Sequence, residues 1–169
     1  DSAGSDNIIF TNNFIRNYMG ASSPTAIDGR GATFLWIRGA VISNNTVIQT
    51  KQIWTDNAFV DYQPSGIEFM SGRFAIVSNN CIDTTGQGMD FGGGGGANNG
   101  EEQATFENGL RGTTQVFIGD NKISNTYIMG IKTVHGAGYN VIYNNFIEKA
   151  GLFGIWICDG YEDQKTYSR

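Results

Sequence analysis

This chain of 169 residues is poor in several things, and each scarcity removes a class of protein. The 3.6-residue periodicity of an amphipathic helix is absent throughout. No stretch approaches the roughly 18 apolar residues of a spanning helix, so no membrane insertion is expected. Lys and Arg total 11 against 16 Asp and Glu, a net charge of −5. With no basic run, that balance argues against nucleic acid or anionic membranes as partners. One histidine, His135, leaves no clustered His/Cys spacing for zinc. Two prolines beside 24 glycines fit many turns and little linker. The two cysteines decide little about compartment. Cys81 follows an asparagine turn and Cys158 lies on another strand two repeats later, so no disulfide between them is expected.

What is present is a repeat. Five polar pairs each precede a hydrophobic residue two places on: Asn12-Asn13 before Ile15, Asn44-Asn45 before Val47, Asn79-Asn80 before Ile82, Asp120-Asn121 before Ile123 and Asn144-Asn145 before Ile147. Two apolar residues lie upstream each time: Ile9-Phe10, Val41-Ile42, Ile76-Val77, Phe117-Ile118 and Val141-Ile142. A second segment follows downstream: Leu35-Trp36-Ile37, Ile67-Glu68-Phe69, Met89-Asp90-Phe91, Ile131-Lys132-Thr133 and Ile155-Trp156-Ile157. Glycine precedes four of these (Gly66, Gly88, Gly130, Gly154), and Phe34 stands in that place in the first. Apolar, variable, apolar is the signature of a strand with one buried face. Each unit therefore holds about three short strands separated by turns, and units recurring at this length stack on one another. Asparagine tolerates the left-handed backbone of tight turns, and stacked side-chain amides can bond in a ladder.

This pattern resembles the right-handed single-stranded parallel β-helix of the pectate-lyase-like superfamily. The fit is tightest from Val141 to Ile157 and looser over Ala75–Phe91 and Val116–Thr133. The expected architecture is an all-β solenoid of five to six rungs over residues 1–169. Neither end carries the polar cap that terminal repeats need, so the chain is expected to be an excerpt of a longer β-helix or to have its ends covered by a partner. A rung needs roughly 22 to 24 residues. The excess marks insertions at about 16–33, 49–65 and 92–114. The Gly92–Gly96 run in the last lacks the Lys-Ser/Thr ending of a phosphate-binding loop and is expected at the surface. Asn44-Asn45-Thr46 is a glycosylation sequon, read here as part of the turn ladder.

The residue after each buried position of the glycine-preceded strand should point outward. Rung by rung this gives Trp36, Glu68, Asp90, Lys132 and Trp156, with Arg38 two places beyond Trp36. Parallel strands lie about 4.8 Å apart, so Glu68 and Asp90 are expected as neighbours. Two adjacent carboxylates suit the acid and the base or nucleophile of glycoside hydrolysis. Tryptophan faces suit sugar rings, and arginine and lysine suit hydroxyls or uronates. His135 and Asp159 occupy equivalent places in consecutive rungs and form a second candidate pair. The same charged row would equally solvate the outside of a β-helix, with Lys132 neutralising Asp90, and the tryptophans could pack under loops.

The family resemblance implies saccharide bound along a groove over this strand. The expected function is thus polysaccharide binding and glycosidic hydrolysis by Glu68 and Asp90, with Trp36, Arg38, Lys132, His135, Trp156 and Asp159 binding substrate. No resident cofactor or metal is expected for a hydrolase. One alternative is a polysaccharide lyase using Ca²⁺ held by Glu68 and Asp90, although alternating-acid calcium loops are missing. The other is a non-catalytic adhesin or phage-tail module, for which a homotrimer is possible. The polygalacturonase motifs are absent, since Val134 and not glycine precedes His135. Low charge density with abundant Asn, Thr and Gly suits an extracellular or virion-surface protein.

Overall fold

The structure, a computed structural model, describes residues 6–18, 20–23, 26–50, 64–92, 112–134 and 137–157. The first rung comprises β1 (Asp6–Thr11), β2 (Phe14–Arg16), an antiparallel pair β3 (Gly20–Ser23) and β4 (Ala26–Asp28), and β5 (Arg30–Leu35). The second has β6 (Arg38–Ser43), β7 (Thr46–Ile48) and β8 (Ser65–Met70), and the third β9 (Arg73–Ser78), β10 (Cys81–Asp83) and β11 (Gln87–Gly92). The fourth has β12 (Thr114–Gly119), β13 (Lys122–Thr126) and β14 (Met129–Thr133), and the fifth β15 (Val141–Tyr143), β16 (Phe146–Ala150) and β17 (Phe153–Ile157). Equivalent strands pair in parallel, giving three five-stranded sheets: β1-β6-β9-β12-β15, β2-β7-β10-β13-β16 and β5-β8-β11-β14-β17. The chain is a right-handed parallel β-helix, as the repeat predicts.

The polar pairs make the first corner. The first member of each adopts left-handed φ: Asn12 60°, Asn44 56°, Asn79 55°, Asp120 57° and Asn144 46°. The second turns inward and builds the ladder. Asn13 Nδ2 donates to Asn45 Oδ1 (2.9 Å), Asn45 to Asn80 (2.9 Å), Asn80 to Asn121 (3.0 Å) and Asn121 to Asn145 (2.9 Å). Each receiving oxygen also accepts the previous asparagine's backbone N–H, at 3.0–3.1 Å. The amides thus satisfy donors and acceptors that a buried corner would otherwise leave bare.

Inside, residues of like position stack. Val47, Ile82 and Ile123 line the second sheet, and Ile67, Met89 and Ile131 the third, all fully buried. Burial of each such side chain contributes about 1.5–3 kcal/mol. The recurring glycine has a packing reason. A Cβ on Gly66 would lie 2.6 Å from Ile82 Cγ2 and 2.8 Å from the carbonyl oxygen of Gly88, so a side chain there would collide with the second sheet and the next rung.

Two expectations are corrected here. The first rung's strand is Arg30–Leu35, with Ala32 beside Ile67 and Phe34 beside Phe69. The glycine absent from that rung in the sequence reading is therefore Gly31, and all five rungs carry one. The long connection expected at 16–33 accordingly ends at Gly29 and contains β3 and β4. Residues 51–63 and 93–111, which make up most of the other two insertions, lie outside the described residues.

Candidate functional site

Register assembles the outward row of the third sheet as Thr33, Glu68, Asp90, Lys132 and Trp156, each paired with the next. Glu68 and Asp90 are thus on one wall, about one strand spacing apart. They face away from the core, because Ile67, Phe69, Met89 and Phe91 on either side are fully buried inward. Thr33 takes the place expected for Trp36. Trp36 follows β5 with left-handed φ of 60°, donates its N–H to the Met70 carbonyl (3.1 Å) and is half-buried at the corner. Phe34 decides this register: its ring lies 6.4 Å from that of Phe69 inside the coil, which displaces Trp36 from the wall.

Arg38 is likewise elsewhere. It begins β6 of the first sheet and makes a two-pronged pair with Asp6, Nε to Oδ1 at 3.1 Å and Nη2 to Oδ2 at 2.7 Å. That hydrogen bond, helped by the guanidinium charge, holds the Asp6 carboxyl below its ordinary range. A different arginine serves the row. Arg30 Nε donates to Glu68 Oε1 at 3.2 Å, and Thr33 Oγ1 donates to Oε2 at 3.1 Å. Neither was singled out from the sequence. The available signal was the run Arg30-Gly31-Ala32-Thr33-Phe34, which matches Ser65-Gly66-Ile67-Glu68-Phe69 once alanine is accepted as a core residue.

The two carboxylates differ in setting. Asp90 Oδ2 accepts from Lys132 Nζ at 3.0 Å, with side chains only 6% and 10% exposed, respectively. Asp90 Oδ1 is buried and accepts no hydrogen bond. Glu68 is less covered, at 13%, and Arg30 stands at 35%. Glu68 and Asp90 thus stay neighbours in the row, but each is held by its own cation, Glu68 by Arg30 and Asp90 by Lys132. At its far end Trp156 stacks on Phe153, with centroids 5.9 Å apart and planes at 21°. His135, Asp159 and Cys158 lie outside the described residues, and with them the expected His135–Asp159 pair. Cys81 is a free thiol.

Rungs three to five carry an open groove of about 670 Å³ at the corner leading into the third sheet, lined by Thr84, Asn125, Thr126, Tyr127, Lys149 and Leu152. It contains none of the row residues. Its hydroxyls, amide, phenol and ammonium suit a polar ligand, but among the described residues no carboxylate lines it, so acid–base chemistry is better sought in the row. Calcium fits the row poorly. Glu68 and Asp90 already face Arg30 and Lys132, and among the described residues no three His, Cys, Asp or Glu side chains gather. In comparisons with protein-family models, with curated proteins and with solved structures, nothing matches this chain.

Proposed function

We propose that this chain is a polysaccharide-binding β-helix of the pectate-lyase-like kind, taking a sugar chain across the outer wall of the third sheet. Carrying this is the single-file row itself: Arg30, Thr33 and Glu68 at one end, the Trp156–Phe153 stack at the other, and the Asp90–Lys132 pair between them. Sugars are bound by flat apolar faces combined with fixed hydrogen-bonding groups, and charged partners strengthen those bonds. The buried ion pair forms the floor and the more accessible groups make the contacts. An extracellular or virion-surface setting belongs to the same proposal.

Cleavage is the stronger form of the reading. Glu68 and Asp90 are neighbours on one wall, as a hydrolytic pair must be. Asp90 Oδ1 is buried without a hydrogen-bond partner. Binding is favoured because each carboxylate is engaged by a cation. A calcium-dependent lyase is not proposed, since the row offers a divalent ion no third carboxylate among the described residues. A glycan-array screen followed by a reducing-end assay on any bound saccharide separates the forms. Binding without new reducing ends supports the module, and release that disappears in Glu68→Gln and Asp90→Asn supports hydrolysis. An array on which nothing binds refutes both.

A further inference from the structure

The three outer walls differ in chemistry. The third carries the charged row, and the second is mostly polar, with Thr46, Cys81 and Lys122 between Phe14 and Phe146 at its end rungs. The first is apolar on every rung. Ile9, Val41, Ile76, Phe117 and Val141 pair in register from β1 to β15 and form one file. They are between 38% and 76% exposed, whereas their neighbours Ile42, Val77 and Ile118 fill the core at 0%.

Two places before this file, every rung has a left-handed residue: Asn7 at 59°, Gly39 at 81°, Phe74 at 59°, Gln115 at 58° and Tyr139 at 55°. Asparagine and glycine suit that backbone, but a bulky aromatic there is strained. Phe74 and Tyr139 nevertheless hold these positions, 52% and 70% exposed, and add their rings to the apolar file. Both aromatics hold a disfavoured conformation and are turned to solvent, with no ring contact among the described residues. Scattered exposed apolar residues are ordinary, whereas a contiguous file of this kind marks an interface.

We propose that this wall packs against the same wall of a second copy of the chain, axes parallel and rungs level. Two observations select that occupant. With side chains of roughly 150–250 Å² each, the exposed fractions of the seven residues give on the order of 700 Å², close to the ~800 Å² one partner contributes to a standard interface. The file also repeats at about 4.8 Å over all five rungs, and a second copy laid alongside carries an apolar file of identical period. Symmetric packing about an axis parallel to the coil sets each residue of the file near its own equivalent. The wall is separate from the charged row, so this assembly stands whether or not the chain binds saccharide.

Sedimentation equilibrium on the full chain at micromolar to tens-of-micromolar concentration tests it, beside Ile76→Lys/Phe117→Lys. The wild type is expected as a dimer or closed trimer and the variant as a monomer with an unchanged far-ultraviolet spectrum. Should the double variant misfold, Phe117→Cys in a Cys81→Ser/Cys158→Ser background gives a second reading. Mild oxidation is then expected to cross-link copies through residue 117, with Lys122→Cys on the polar wall as the uncross-linked control. A monomeric wild type over the whole range overturns the proposal. So does an assembly that the lysines leave intact, or equal cross-linking from both cysteines.

Discussion

Replacing Lys132 by methionine removes the cation from a nearly dry site and leaves the Asp90 charge behind. At 3.0 Å the pair's attraction is roughly 5–6 kcal/mol with an effective dielectric of about 20, much of it offset by the desolvation of both ions. Such a pair therefore adds little over two apolar side chains, but losing one member strands the other. Asp90 is exposed to that loss, because Oδ1 has no hydrogen bond and Oδ2 would lose its contact with Lys132. Lys132→Met is expected to lower stability by about 3–5 kcal/mol, a large share of the roughly 5–15 kcal/mol typical of a domain. Asp90→Leu should cost a similar amount. The double variant should recover to within about 1–2 kcal/mol of wild type, since no buried charge remains. Urea unfolding of all four proteins closes the cycle and separates the pair from the other interactions Lys132 makes. Single variants within about 1 kcal/mol of wild type, or a double variant as unstable as the two losses combined, would refute the reasoning.

Three further outcomes follow from the packing. Asn80→Leu deletes an amide that accepts from Asn45 N and Nδ2 and donates to the Ile42 carbonyl and to Asn121 Oδ1, so unfolding should show a loss of roughly 3–6 kcal/mol. Gly66→Ala should be strongly destabilised by its collisions with Ile82 and Gly88, whereas Gly154→Ala, with nothing within 4 Å of the new Cβ, should melt as wild type does. Arg38→Ala should move the urea midpoint little, because the Asp6–Arg38 pair is exposed and water screens its attraction.

The coil was legible because its corners are chemically explicit. An asparagine needed at every ladder position and a glycine needed wherever a second-sheet isoleucine presses on the third leave a written period. The wall holding Glu68, Asp90, Lys132 and Trp156 followed from alternation alone. The first rung failed for a specific reason: Leu35-Trp36-Ile37 is more hydrophobic than Ala32-Thr33-Phe34, yet the glycine at position 31 and the fit of Phe34 on Phe69 outweigh that. Ion pairing was legible only within the row, where Lys132 adjoins Asp90. Arg30 reaches Glu68 diagonally from a strand hidden inside a supposed insertion. The apolar wall was not legible either. In Val41-Ile42 and Ile76-Val77 two apolar neighbours offer the same hydrophobicity, and only the coil's closure decides which one faces out.

The saccharide wall itself is tested most directly by calorimetric titration with an oligosaccharide identified on the array, comparing wild type, Trp156→Ala, Glu68→Gln and Lys122→Glu. Affinity is expected to fall at least about tenfold for the first two variants, as loss of an aromatic platform or a charged hydrogen bond implies, and to stay unchanged for the third, which lies on the polar wall. Equal affinity for all four proteins, or a loss confined to Lys122→Glu, would contradict it.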